Sequence, residues 1–483
     1  MNAPDLSVSF PKRLAAIAAK KPESPAISFG DQTLTWRSLD LESNRIAHAL
    51  KAFGVQPGDL VTLALQNGLP FFAVTWGIWK VGATPQPVSS RLPLEELRKI
   101  IEVAKSSLVI TEDGFSGLDN ATTLSALMEK TEECAPLSDQ TSPSWKAPTS
   151  GGSTGRPKVI RCTIPAEYSE AVERSFRLSE SDISLIPAPL YHNAPFVLAT
   201  RALLAGSHVI IVPRFDALTT LELIEEYKVS FLYVVPTMMS RIAKLPADPR
   251  QHDMSSLKTV WHMAEPCPIW LKEYWIDWLG EEKIWEIYAA TEGVASAQIN
   301  GIEWLEHKGS VGKVAPPKQI RAFSAEGEML PPMEVGELFL HPGENGNIPY
   351  EYLGASANER SGWHSMGDIG YVDEDGYLYL CDRRADMIIV GGVNIYPAEI
   401  ESAILSHPEV HSTAVIGLPC EDRGKRIHAI VQTKLSEETL KQYLANKLVK
   451  YKTPHSFELV DYSLRDDAGK VRRSQLVAER APK

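Results

Sequence analysis

The sequence predicts an α/β protein: a large N-terminal domain of parallel-rich sheets with helices and a small β subdomain, then a small α+β domain. Three patterns carry this. Apolar runs of strand length alternate with segments of helical spacing over the first half of the chain. Around residues 310–380 helical periodicity fades, and short strands separated by Gly, Pro and Asp turns take over. After Asp382 comes a compact strand–helix–strand–strand–helix unit of about 100 residues, within the ordinary size of a domain. The divisions fall at 1–382 (β-rich over about 310–382), 383–386 and 387–483.

Each element has a local reason. Residues 11–52 read as a helix, a strand pair and a second helix. Ile27–Phe29 and Thr33–Trp36 flank Gly30-Asp31, a hairpin signal, and Ser38–Phe53 has helical spacing at Leu39, Leu41, Ile46 and Leu50. Val61–Leu65 is a buried strand, followed by a helix from about Pro70, the extended Thr84–Val88, a helix from Leu94 and the strand Leu108–Thr111. The rhythm returns at His208–Val212 and Phe231–Val235. In the last unit a helix starts at Pro397, a residue suited to the first helical position. Glu399 and Glu401 suit its first turn, where the helix dipole favours negative charge. Strands follow at Thr413–Ile416 and Ile427–Val431, and a helix at Glu437–Val449.

Composition excludes several classes. Hydrophobic residues are 44% and charged residues 23%, so the whole chain is expected to be globular. The net charge of -12 argues against a nucleic-acid partner. The charge is unevenly spread: residues 383–483 hold 16 Lys/Arg and 13 Asp/Glu, whereas residues 1–382 hold 33 and 48. This is ordinary scatter, or a basic lobe that closes over an anionic ligand. Five cysteines, at 134, 162, 267, 381 and 420, lack zinc-ligand spacing and suit a reducing, cytoplasmic compartment. The N-terminus lacks a secretory pattern. The most apolar stretch, Phe71–Val88, is broken by Lys80, Gly and Pro, so no membrane span is expected.

Five segments carry chemistry. In Thr149-Ser-Gly-Gly-Ser-Thr-Gly-Arg-Pro-Lys158, backbone N–H groups and hydroxyls could cradle phosphates while the Lys adds charge; a linker has the same composition. It is not a Walker A loop. Tyr288-Ala-Ala-Thr-Glu-Gly293 follows an apolar run and puts a hydroxyl and a carboxylate at a sheet edge, or forms a surface turn. Asp368, in Met366-Gly-Asp-Ile-Gly370, and Arg383 suit the ribose and phosphate parts of one nucleotide, or a turn and an ion pair. Gly391-Gly392 form a turn in Ile389–Glu401. Lys470, in Asp467-Ala-Gly-Lys-Val-Arg-Arg473, is by itself an ordinary tail charge.

Together and in this order, these segments resemble the adenylate-forming superfamily of acyl-CoA synthetases, adenylation domains and luciferases, over nearly the whole chain. The resemblance implies an acid–thiol ligase that uses ATP, Mg²⁺ and coenzyme A and turns a mobile C-terminal domain between two half-reactions. It assigns Ser153, Thr154, Gly155 and Lys158 to the phosphates. Tyr288, Ala289 and Ala290 line the adenine, Thr291 meets the α-phosphate, Glu292 the Mg²⁺, and Asp368 and Arg383 the ribose. Lys470 bridges carboxylate, ribose and α-phosphate oxygens. Gly391 and Gly392 wall the CoA tunnel after the domain turns about a hinge at Ala385.

The sequence departs from the pattern in three places. The loop reads Gly151-Gly152-Ser153-Thr154 with Val159 where Gly is usual, Ala289 replaces a usual Gly, and Ala385 stands where Asp or Lys is common. The acyl pocket is assigned to Tyr191, His192 and Asn193 and to Trp261, His262 and Met263. His192 is a shape-filling gate or a general base toward the thiol. No Asp stands nearby to hold an amino acid's ammonium. The wording is closest to bacterial ligases for bulky polycyclic acids, such as steroid, bile or diterpenoid acids, and a medium-chain fatty or aryl acid stays open. Two other readings stay open: an acyl-AMP ligase that loads a carrier protein, and a nucleotide-binding protein without catalysis. A homodimer is also left open.

Overall fold

The computed structural model describes residues 8–112, 118, 120–151, 157–344, 346–390, 393–420, 424–466 and 469–481. The long sheet at its centre has 14 strands. Pro25–Phe29, His208–Ile211, Ile183–Ile186, Phe231–Val234, Thr259–Met263 and Ile284–Ala289 lie side by side in parallel. They are almost continuously apolar, as a sheet covered on both faces requires. A second, four-stranded parallel sheet is ordered Thr84–Pro87, Leu60–Ala64, Leu108–Thr111, Ala121–Thr123. Between the sheets lies helix Leu69–Lys80, whose residues from Phe71 onward are all buried. That accounts for the most apolar stretch of the sequence: a helix apolar all round is a core helix. No helix among the described residues is long and apolar enough to cross a membrane.

Ile284–Ala289 is where the long sheet changes character. One neighbour, Thr259–Met263, is parallel; the other, Ser296–Asn300, is antiparallel, as is every pairing beyond it. The β-rich region therefore does not form a sheet of its own. Its strands Ser310–Val314, Leu378–Arg383, Trp363–Val372, Gly336–His341 and Gln319–Phe323 extend the central one, although they enclose a separate core around Val311, Ile320, Leu338 and Leu340.

The small C-terminal domain is built on the hairpin Val410–Cys420/Gly424–Thr433, with Ser456–Val460 added in parallel. Helices Pro397–Leu405 and Glu437–Ala445 contribute Ile400, Ile404, Leu440 and Leu444 to one of its cores. Two helix ends differ from the sequence expectation, and both have a local cause. The second helix begins at Trp36, because the Thr35 hydroxyl accepts the Ser38 N–H as an N-cap. The helix at Glu437 stops at Ala445, with Asn446 as its C-cap. Glu401 also departs from its expected role. It lies beyond the first turn, which holds Glu399 alone, and is a buried charge paired with Arg465 and Arg473.

Candidate active site

The strand Ile284–Ala289 delivers Tyr288 to the sheet edge, and the chain then turns through Thr291, Glu292 and Gly293 (φ +71°). Glu292 is buried. Its Oε1 accepts the Tyr352 hydroxyl at 2.5 Å and the Lys158 ammonium at 3.4 Å. Lys158 also lies 4.1 Å from the centre of the Tyr352 ring, so cation, ring and carboxylate form one cluster. Strand pairing brings them together, because Pro157–Cys162, which carries Lys158, is antiparallel to Tyr350–Leu353. Burial and the Glu292 charge push the Tyr352 phenol far up, so it remains a donor.

Asp368 joins the next two residues. Its Oδ2 accepts the Tyr288 hydroxyl at 2.6 Å, and its Oδ1 lies 3.2 Å from Arg383 Nε. Asp368 and Arg383 are direct cross-strand partners. Asp368 holds the Arg383 guanidinium above its usual range, and burial pushes the Tyr288 phenol up. The strand with Arg383 ends in the turn Arg384–Ala385–Asp386, where the Asp386 and Met387 N–H groups both return to Arg383 O.

Lys470 reaches this cluster from the C-terminal domain. Its loop closes on itself, with Asp466 N–H to Lys470 O at 3.0 Å and Lys470 N–H to Asp466 Oδ1 at 2.9 Å. Gly469 (φ +76°) sits so close to Glu265 that a Cβ there would land on the carboxylate. Glu265 is itself held by Thr237 N–H at 3.1 Å and the Thr237 hydroxyl at 2.8 Å. Lys470 is solvent-accessible, yet desolvation and, more weakly, Arg383 lower its pKa. On the other side, burial and the Lys470 charge push His192 down to about 3, so this imidazole is neutral.

His192 occupies the N-cap position of helix Asn193–Ala205, against the Tyr191 ring. Its Nε2 is buried and has no hydrogen-bond partner among the described residues. Beneath it lies Lys146, a residue the sequence analysis did not single out. Its ammonium donates to Asn193 Oδ1 and, at 3.4 Å, to Thr291 O. It thereby ties the His192–Asn193 segment to the Thr291–Glu292 turn. Burial pushes Lys146 down to about 8. Trp261, His262 and Met263 occupy one strand, and successive residues face opposite ways. The Trp261 indole N–H donates to Phe176 O at 2.9 Å. His262, wholly buried, faces a Lys272–Glu286 ion pair instead, so it does not share the face of Trp261 and Met263.

A model of the AMP-binding enzyme family matches residues 14–345, and one of the AMP-binding enzyme C-terminal domain matches residues 399–470. The chain belongs to the AMP-binding enzyme family.

Relatives in this family include 2-succinylbenzoate–CoA ligase of Bacillus licheniformis, 31% identical over 97% of this chain and 100% of that protein. Feruloyl-CoA synthase of an Amycolatopsis species is 30% identical over 97% and 98%. A fatty acid–[acyl-carrier-protein] ligase of Streptomyces coeruleorubidus is 30% identical over 95% and 94%. Among solved structures, the o-succinylbenzoate CoA synthetase of Bacillus subtilis, in complex with its acyl-adenylate intermediate, superposes with a TM-score of 0.82. It is 27% identical and covers 99% of both chains.

The donor set suits the cofactors of this family. Glu292 is a single buried carboxylate, and the described residues contain no cluster of three or more potential metal ligands. One carboxylate with the remaining sites left to phosphates and water is how Mg²⁺ is held on a nucleotide. Ala289 is exposed and Ala290 half-buried beside Tyr288, leaving an open wall for a base. Ser153, Thr154 and Gly155, expected at the phosphates, and Gly391 and Gly392, expected at the thiol tunnel, lie outside the described residues. Their flanks are defined. Val390 and Val393 are partners in the antiparallel pair Ile388–Val390/Val393–Ile395. Tyr352 and Lys146 escaped the sequence reading because an isolated Tyr or Lys carries no spacing signal.

Proposed function

We propose that this protein is an AMP-forming acyl-CoA ligase whose Lys470 bridges the carboxylate and the α-phosphate in the first half-reaction. What supports this reading is that Lys470, carried by the C-terminal domain, lies near enough to both His192 and Arg383 for their charges to act on one another, while Arg383 is paired with Asp368. A carboxylate oxygen attacks the α-phosphorus of ATP. The bond to the β-phosphate breaks, and pyrophosphate leaves. Two anions must approach, so a cation held between them is favoured most in the transition state. Asp368 accepts ribose hydroxyls, Arg383 donates to ribose or phosphate oxygens, Tyr288 packs on adenine, and Thr291 meets the α-phosphate. Lys158, with Ser153, Thr154 and Gly155, meets the β- and γ-phosphates. Glu292 holds Mg²⁺, which when bound neutralises charge developing on the phosphates.

In the second half-reaction the C-terminal domain, 387–483, turns about the 383–386 segment at Ala385. Lys470 withdraws, and the hairpin around Gly391 and Gly392 enters. The CoA sulfur attacks the acyl carbon, the bond to AMP breaks, and the thiol proton is released. His192 is a neutral gate of the acyl pocket, since burial and Lys470 both disfavour its charged form. Tyr191, Trp261 and Met263 give that pocket an apolar, aromatic lining suited to a bulky apolar acid, and Asn193 sits at its edge, held by Lys146. His262 supports it from behind. The relative that loads an acyl carrier protein supports a second reading, with a carrier-protein thiol as acceptor. The acidic net charge and free cysteines support a cytoplasmic enzyme with no nucleic-acid partner.

The test is a panel of steroid, bile, diterpenoid, aryl and fatty acids with ATP and Mg²⁺, with and without CoA, reading pyrophosphate and thioester by mass. CoA thioester from a polycyclic acid, and none from simple fatty acids, supports the proposal. Pyrophosphate with retained acyl-AMP and no CoA thioester moves the acceptor to a carrier protein. No pyrophosphate with any acid, but a stable ATP complex, sinks the catalytic reading.

A further inference from the structure

From Asp461 to Arg472 the described chain has neither helix nor strand, yet it carries Lys470. A cation that must meet two anions has to be held in place, and here side chains do so. Arg465 within the segment and Arg473 just after it converge on one carboxylate, Glu401, which is 4% exposed on helix Pro397–Leu405. Its Oε2 pairs with Arg465 Nη2 at 2.8 Å, and its Oε1 with Arg473 Nη2 at 2.7 Å. Oε1 also accepts the Val415 N–H at 2.8 Å, which fixes the carboxylate to the central hairpin. Each arginine then makes a second contact. Arg465 Nη1 donates to Gly469 O, one residue before Lys470, at 2.8 Å. Arg473 Nη1 pairs with Asp386 in the interdomain turn at 3.0 Å.

We propose that Glu401 is a positioning residue for adenylate formation: through Arg465 and Arg473 it locks the Lys470 loop to the interdomain turn, so that both move as one body. A buried carboxylate shared by two guanidinium forks gives defined geometry as well as energy. Losing the Glu401 carboxylate leaves each arginine with one contact, to Gly469 O or to Asp386, in place of two. The inference rests on the role given above to Lys470. It differs from a general stabilising role in one respect: Lys470 leaves the site in the second half-reaction, so the lock is needed only for the first.

The test compares full-length wild type, Glu401→Gln and Lys470→Ala. It uses the acid that releases most pyrophosphate in the panel above and the chemically prepared acyl-AMP of that acid. Pyrophosphate release reads the first half-reaction, thioester from supplied acyl-AMP and CoA reads the second, and amide exchange reads the loop. Glu401→Gln is expected to slow the first half-reaction by about 10- to 100-fold, the scale of losing charged hydrogen bonds. The second should stay within about twofold, and exchange should quicken at Gly469 and Lys470 but not in Val410–Cys420. Wild-type pyrophosphate release from Glu401→Gln, with Lys470→Ala inactive, overturns the inference alone. Equal loss in both half-reactions, with faster exchange across the hairpin, also overturns it, because Glu401 would then only hold the domain together. Full pyrophosphate release from Lys470→Ala overturns the Lys470 reading itself.

Discussion

Tyr288 and Asp368, 80 residues apart, share a 2.6 Å hydrogen bond that brings a phenol and a carboxylate into one cluster. The carboxylate also faces Arg383 at 3.2 Å, so it is oriented before any ribose arrives. A hydrogen bond to a charged group contributes about 1.5–3 kcal/mol. Asp368→Asn is therefore expected to raise the KM for ATP about tenfold or more. Tyr288→Phe should raise it less, since the ring is kept. ATP titrations of pyrophosphate release check both, and an unchanged KM in Asp368→Asn would remove this residue from the ribose site.

Lys470→Ala separates the half-reactions. Losing an electrostatic contact made chiefly in the transition state costs about 10²–10³ in rate. Pyrophosphate release should fall by that factor, whereas thioester formation from supplied acyl-AMP and CoA should persist. Equal loss in both steps would argue against a domain that changes position between them.

Glu292 is expected to act through Mg²⁺. Glu292→Gln keeps the shape and an acceptor for the Tyr352 hydroxyl, now 2.5 Å from the carboxylate, but removes the charge. The Mg²⁺ concentration for half-maximal pyrophosphate release should rise about tenfold or more, the scale of one charged contact. A variant with the wild-type Mg²⁺ dependence would leave Glu292 only as the partner of Lys158 and Tyr352.

Lys146 gives a pH signature in stability. Burial lowers its folded pKa to about 8, whereas an unfolded lysine titrates at 10.5. The protonated form is thus disfavoured in the fold. The cost is fully present below about pH 8 and is relieved as pH rises through 8 toward 10.5. The gap corresponds to roughly 3 kcal/mol. Lys146→Met lacks this relief, so its stability relative to wild type should decline by roughly 2–3 kcal/mol between pH 7 and pH 10. Urea unfolding at both pH values checks it; a pH-independent difference would mean that Lys146 is charged and well solvated in the fold.

Lys244 bridges the domains in this orientation. Its ammonium donates to the carbonyls of Leu405 (2.8 Å), His407 (3.2 Å) and Val410 (2.6 Å), satisfying the C-terminal end of helix Pro397–Leu405. Lys244→Met should weaken this orientation by about 1–3 kcal/mol. Spin labels, one on each domain, should then report a broader interdomain distance distribution, and an unchanged distribution would show that other contacts hold the domains.

Much of the fold was legible in the sequence. Leu60–Ala64, Leu108–Thr111 and Phe231–Val234 are apolar runs of strand length, and Thr35 and Ser436 are N-caps whose chemistry is local. The Tyr288–Glu292 and Asp368/Arg383 segments were legible as candidates because each combines residue types that suit one part of a nucleotide, and Tyr288, Asp368 and Arg383 do meet in the fold. Lys146, Tyr352 and Lys244 were not, since each acts through partners more than 40 residues away. Glu401 was legible as a residue but not as a partner: a charge near a helix start looks alike whether water or two arginines face it.

The sequence by itself determined the alternation of strands and helices, the two-domain organisation and the order of the chemical segments, because periodicity, caps and turn residues act over a few neighbours. Only the tertiary structure decided which of these segments meet. Sheet register set Asp368 opposite Arg383, and the pleat turned His262 away from the face of Trp261. Packing of one domain on the other brought Lys470 toward His192 and closed Gly469 against Glu265. Burial then set the protonation of His192 and Lys146, a property of the surroundings that no residue carries alone.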